Sequence, residues 1–191
     1  GGSASSEVCT YVVIGLGQRG GIYARYAREN PSLATVVAIA EPKDKTRKRW
    51  GTSLNVPTEH QYTDWKELAK MDKMADAAVI TVQDSMHREV AVALAEKGYH
   101  ILLEKPMAVS MDGCVAITNA IKAKNLVFKV GHVMRYTPHS LKIKEIIDSG
   151  VLGQIVNIQH LEPVGHYHFA HSYVRGNWRN EAESTFSLMA K

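Results

Sequence analysis

Cysteine is scarce. Cys9 and Cys114 are the two cysteines of the chain, far apart and outside any Cys-x-x-Cys spacing. That points to neither a disulfide framework nor a zinc site. A reducing, cytoplasmic setting is the expectation. Long apolar runs are also missing. No stretch approaches the ~18 consecutive apolar residues of a membrane helix, so no membrane partner is expected. The opening GGSASS lacks the charged and apolar regions of a secretory signal. Residues 1–8 read as a flexible cloning remnant and stand outside the fold reasoning. Dense basic tracts are absent too. The richest, Lys43 to Arg49, is short and interrupted by Asp44. Nucleic-acid binding calls for clustered cations with aromatic residues between them, and none is expected here. The net charge of 23 − 19 = +4 is a small excess, and that tract reads as a solvated helix face.

What is present is ordinary globular material. Apolar residues make up 45% and charged residues 22% of 191. A chain of this length can bury roughly 70% of its unfolded surface. At about 150 residues per domain it holds one domain and a fragment.

Strand and helix patterns alternate. Tyr11-Val12-Val13-Ile14 is a buried apolar run closed by Gly15. Thr35 to Ala40, Ala77 to Val82, Tyr99 to Leu103 and Leu126 to Val130 repeat the pattern. Between them, helical periodicity covers Ile22 to Glu29, Lys43 to Trp50, Trp65 to Lys70 capped by Asp64, His87 to Lys97, and a segment capped by Ser110. Strands apolar on both faces and separated by helices predict an α/β, doubly wound parallel sheet covered on both sides. The pattern changes near residue 135. Ser140 to Ser149 reads as one more helix. Ile155 to Leu161 alternates apolar and polar residues, which predicts a strand of a sheet with one wetter face. The expected division is 9–135 for the first domain and 136–191 for the start of a second. The second has too little chain to close a core, and the chain looks cut off.

Three features carry chemistry. Gly15-Leu16-Gly17-Gln18-Arg19-Gly20 fits G-x-G-x-x-G, directly after the first strand and at the opening of the first helix. There the glycines allow a tight turn and let backbone approach a pyrophosphate at a helix N-terminus. Glu41 ends the second strand, 21 residues after Gly20, where a carboxylate can accept bonds from ribose hydroxyls. It would repel a 2′-phosphate, so NAD is the expected cofactor. Lys43, Lys45 and Arg47 lie just beyond; they would admit NADP or merely form a solvated face. Finally, Glu104-Lys105-Pro106 follows the fourth apolar run. Pro106 stops the strand and holds Lys105 at the edge of the ligand crevice. Lys105 there is either an acid/base group for a substrate hydroxyl or half of an exposed Lys105–Glu104 ion pair.

Those two motifs, with Gly131-His132-Val133-Met134-Arg135-Tyr136, resemble the Gfo/Idh/MocA oxidoreductases over roughly residues 9 to 180. The resemblance implies an N-terminal Rossmann domain and a second α/β domain with a mostly antiparallel sheet. It implies hydride transfer between NAD(P) and a hydroxyl of a sugar, cyclitol or related polyol. The unfinished second sheet would leave an open edge and apolar surface, so a homo-oligomer is expected. By position, Lys105 matches the lysine near nicotinamide and substrate. Glu104 matches a residue near the nicotinamide ribose, and His87 one near the cofactor. Thr81 and Gln83 end the third apolar run, although many relatives carry Pro where Gln83 stands. With Gly15, Gly17, Gln18, Arg19, Gly20 and Glu41, these form the expected cofactor site. Trp178-Arg179 resembles a pair that reaches the cofactor in some relatives. Arg135, Tyr136, His166 and His168 are candidate substrate contacts. The family's later Asp/His catalytic motif does not occur before Lys191. Other relatives bind the cofactor as sensors or use it in glycosidic cleavage, and both remain alternatives. His160, His166, His168 and His171 invite a metal reading, but a polar wall beside a sugar pocket is expected and no metal.

Overall fold

The computed structural model describes residues 8–176 and 178–180. Within them, six short strands form one sheet: β1 (Cys9–Ile14), β2 (Ala34–Ala40), β3 (Gln61–Tyr62), β4 (Ala77–Ile80), β5 (His100–Leu103) and β6 (Phe128–Val130). Every pairing is parallel. The order across the sheet is β3-β2-β1-β4-β5-β6. This is the doubly wound Rossmann order, in which strands are added outward in one direction from β1 to β3 and in the other from β4 to β6, with the switch point between β1 and β4. The helices α1 (Gln18–Glu29), α2 (Asp44–Ser53), α3 (Trp65–Lys70), α4 (His87–Glu96) and α5 (Met111–Ala123) lie between strands, and α6 (Pro138–Asp148) and α7 (His166–Phe169) follow.

The central strands β1, β2, β4 and β5 are mostly apolar because both faces are covered. Val12, Ile14, Ala78, Ile80, Ile101 and Leu103 pack on one face against Val90, Ala91, Leu94 and Ala95 of α4 and Ile117 and Ile121 of α5. Trp65 and Leu68 of α3 complete that layer. Tyr11, Val13, Val36 and Val79 pack on the other face against Ala24 and Ala27 of α1 and Trp50 of α2. The caps read from sequence form as expected. Asp64 Oδ1 accepts from the Lys66 N–H at 2.9 Å, and Ser110 Oγ from the Gly113 N–H at 3.1 Å.

Three elements differ from the sequence reading. Helix α1 starts at Gln18, inside the glycine motif, four residues before its apolar pattern begins. Gly20 makes this possible, because a Cβ there would overlap the Gly15 carbonyl oxygen. Strand β3 was not expected; its two residues pair with Ile39 and Ala40 of β2. The strand expected over Ile155 to Leu161 does not form. Val156 is 92% exposed, and no neighbouring strand stands beside it among the described residues. Period-two alternation needs a sheet to join, and without one the backbone has no ladder to complete.

Packing also fades along the chain. Helix α6 is well started, with Pro138 in its first turn and Thr137 Oγ1 accepting from the Ser140 N–H at 3.3 Å. Yet none of its residues is buried, and Leu141 is 51% exposed. Leu94→Ala should therefore cost ~2–5 kcal/mol, as a fully buried leucine does. Leu141→Ala should stay within about 0.5 kcal/mol, as surface changes do. Chemical denaturation of the two variants checks the contrast.

Candidate active site

The glycine motif makes a turn that side chains could not follow. Gly15 has φ of 87°, and a Cβ on it would sit 2.8 Å from the Thr81 carbonyl oxygen. A Cβ on Gly20 would overlap the Gly15 carbonyl oxygen. Thr81 Oγ1 donates to that same oxygen at 2.6 Å, and the Gly15 N–H donates to the Ala40 carbonyl at 2.8 Å. The turn is thus stitched to β2 and β4. Gly17 differs: nothing lies within 4 Å of where its Cβ would be. It precedes the first turn of α1, which carries no acidic residue and no side-chain cap. An uncapped helix start beside open space suits an anion, because its N–H groups and partial positive charge both face outward.

Beside the turn is a cavity of about 580 Å³ over the carboxyl ends of β1, β2 and β4. Gly15, Gly17, Glu41, Thr81 and Gln83 of the sequence-predicted residues line it. So do Lys43, Thr46, Asp64 and Trp65, of which only Lys43 figured in the sequence reading of the cofactor site. Glu41 is only 6% exposed. Its Oε2 accepts from the Leu16 N–H at 2.7 Å and its Oε1 from the Lys43 N–H at 2.9 Å. The carboxylate therefore ties the glycine turn to the start of α2. Each oxygen keeps further acceptor capacity. Of the three cations beyond it, Arg47 is committed elsewhere. It donates to the Glu41 carbonyl oxygen and to Asp44 Oδ1, both at 2.8 Å. Lys43 and Lys45 are exposed.

A second cluster lies at the end of β5. Glu104 is 6% exposed, and its Oε1 accepts three bonds: from Arg19 Nε at 3.0 Å, Arg19 Nη2 at 2.8 Å and Tyr23 Oη at 2.7 Å. Arg19, expected to contact cofactor, instead points its guanidinium at this carboxylate, the closest opposite charge available to it. The exposed Lys105–Glu104 pair is not formed. Lys105 is half-buried, and its ammonium has no partner among the described residues. The peptide bond to Pro106 is cis. His87 is fully buried, with Nδ1 2.7 Å from the Pro106 carbonyl oxygen and Nε2 3.2 Å from that of Val82. It lies between the loops after β4 and β5, with each ring nitrogen facing a backbone carbonyl oxygen.

The later candidates do not join these clusters. Trp178 donates from its indole N–H to Asp84 Oδ1 at 3.2 Å, so it reaches the loop after β4 and does not line the cavity. Arg179 is exposed beside it, and so is Gln18 on the first turn of α1. Arg135 and Tyr136 are exposed on a short 3-10 turn. His166 and His168 are exposed on α7, where His168 stands edge-on to Tyr173 with ring centroids 6.2 Å apart. Among the described residues, no three His, Cys, Asp or Glu side chains converge as metal ligands. Sequence reasoning missed Tyr23 and Asp84. Tyr23 stands one helical turn after Arg19, the spacing that puts two side chains on one face. That was the available signal. Asp84 had none.

A family profile described as "Oxidoreductase family, NAD-binding Rossmann fold" matches residues 9–132. The chain belongs to the Gfo/Idh/MocA oxidoreductase family. The levoglucosan dehydrogenase of Pseudarthrobacter phenanthrenivorans is 31% identical over 133 residues, 70% of this chain and 30% of the relative. The inositol 2-dehydrogenase of Salmonella paratyphi B is 30% identical over 146 residues, 74% of this chain and 42% of the relative. Among solved structures, the myo-inositol 2-dehydrogenase of Lactobacillus plantarum superposes with a TM-score of 0.72 at 24% identity, covering 78% of this chain and 44% of that one. The chain thus spans less than half the length of these Gfo/Idh/MocA relatives. No described helix is long and apolar enough to cross a membrane.

Burial also sets how this region responds to alkali. Tyr23 is pushed up to about 12, first by desolvation and then by its bond to Glu104. Tyr11, whose hydroxyl donates to the Tyr23 carbonyl, is likewise pushed to about 12, chiefly by desolvation. The folded chain keeps both protons where the unfolded chain loses them, near pH 10. Their contribution to stability should be complete below about pH 10 and lost as the pH rises through about 12. Ultraviolet titration should show a wave near 12 that Tyr11→Phe and Tyr23→Phe each reduce by one group.

Proposed function

We propose that the chain is the cofactor-binding part of an oxidoreductase that moves a hydride between NAD and a hydroxyl or carbonyl of a sugar, cyclitol or related polyol. The observation that supports this best is the open Gly17 at the start of α1, flanked on one side by the Glu41 cavity and on the other by Glu104 and Lys105. The names of relatives such as levoglucosan dehydrogenase and inositol 2-dehydrogenase support the substrate class. In this reading residues 9–135 form the cofactor domain and the chain from 136 begins the substrate domain.

The nicotinamide, when bound, supplies the hydride acceptor or donor. The chain's own residues do the rest. The first turn of α1 holds the diphosphate through backbone N–H groups, and Gly17 leaves room for it. Glu41, fixed by two backbone donors, accepts from the adenosine ribose. Lys105 carries a free ammonium just after β5 and moves a proton to or from the substrate oxygen. Its lack of a partner suits this, since an ammonium held in an ion pair would have to break that pair first.

Two measurements test the reading. Calorimetric titration should give tighter binding of NAD than of NADP, because the buried Glu41 carboxylate repels a 2′-phosphate while Arg47 is tied to Asp44. Glu41→Ala should narrow that preference, and tighter binding of NADP by the unaltered chain would reverse the assignment. Where polyol-dependent reduction of NAD is followed by absorbance, Lys105→Met should lower the rate ~10²–10⁴-fold, the worth of a positioned acid/base group. NAD affinity should stay within a few-fold.

A further inference from the structure

Resting on that reading, we propose that Tyr23 and Arg19 are positioning residues: they clamp one oxygen of Glu104 so that the other is presented, beside Lys105, to the hydroxyls of the nicotinamide ribose. The clamp is asymmetric. All three donors converge on Oε1. Oε2 has no partner among the described residues. Nor is it sealed. The sealed side-chain polar atoms lacking a partner there are Trp50 Nε1 and Tyr62 Oη. Oε2 is therefore the outward side of an otherwise buried carboxylate.

A carboxylate with two free rotamers would spread its charge over several directions. This one cannot. Two donors come from a single guanidinium, whose planar fork fixes the angle of approach. The third comes from a phenol anchored at its own backbone, where the Tyr23 carbonyl accepts from the Tyr11 hydroxyl at 2.7 Å. From the opposite side Gly131, just after β6, closes the space: a Cβ there would lie 2.9 Å from Oε1 and 3.3 Å from Oε2. Three elements, α1, β5 and the end of β6, thus converge on one oxygen pair. Arg19 and Tyr23 are close to the diphosphate-facing helix start, yet their polar atoms turn away from the cavity toward β5. Across the switch point from an adenosine over β1 and β2, the ends of β4 and β5 underlie the second nucleoside of a dinucleotide. Its ribose hydroxyls are the donors that Oε2 lacks.

Three ligands separate this role from a structural one. ADP carries the adenosine and the diphosphate, ADP-ribose adds the second ribose, and NAD adds the nicotinamide. Tyr23→Phe in the 191-residue chain should weaken NAD and ADP-ribose by roughly 3- to 10-fold, the range for one hydrogen bond to a charged group shared with other donors. ADP should change by less than about twofold, since no ribose hydroxyl then faces Glu104. Gly131→Ala, on a different element, should give the same pattern by displacing the carboxylate. In a Glu104→Gln background, Tyr23→Phe should add nothing further. Equal weakening of all three ligands would overturn the proposal, because it would place Tyr23 in service of the helix start. So would unchanged binding of all three. If the unaltered chain binds none of them, the dinucleotide reading itself fails, and the positioning role with it.

Discussion

The carbonyl oxygen of Gly15 occupies the place where a side chain on residue 20 would have to be. This close backbone approach lets α1 begin directly above the end of β1. Everything else at the carboxyl edge of the sheet is arranged around it. The Leu16 N–H reaches Glu41 because the turn is that tight, and Thr81 can donate to Gly15 because β4 lies alongside. In the first turn of the helix, Arg19 faces β5 and not the cavity, and Glu104 is its counter-charge. A residue with a Cβ at position 20 would lift the helix away, and these long-range bonds would lose their geometry together.

The interior obeys the same economy. Alternate residues of β1 serve opposite layers, Val12 and Ile14 against α4 and α5, Tyr11 and Val13 against α1 and α2. Both layers end before α6. From there the described chain exposes its apolar residues, including Ile158 and Leu161. The glycine turn, Glu41 and Glu104 belong to the packed part, and of the residues beyond 136 Trp178 reaches back to Asp84 in the loop after β4.

Much of this was legible in the sequence because apolar periodicity reports burial on both faces. The five apolar runs and the caps at Asp64 and Ser110 are local signals and appear where expected. Strand β3 was invisible since Gln61 and Tyr62 have no apolar pattern; β2 alone recruits them. The strand expected at Ile155 was a true alternation without a neighbour to pair with. At the site, the glycine motif and Glu41 were legible from spacing. The partner of Arg19 was not. Nothing local brings residue 19 to residue 104 or tells a buried His87 from a solvent-facing one, because both facts are made by chain crossings of the sheet. Trp178 meeting Asp84 is of the same kind.

Two buried carboxylates flank the glycine turn, Glu41 at the end of β2 and Glu104 at the end of β5, with the positive start of α1 between them. Along the sheet edge, the protein offers acceptor, donor, acceptor. The pattern is nearly palindromic, so its complement is a molecule with hydroxyl groups at both ends and an anion at its centre. On the proposed reading, such an edge complements the backbone of a dinucleotide without reading either base. Which base lies at which end must then be decided by what differs between the halves: a walled cavity with Trp65 on one side, and an unpaired lysine on the other.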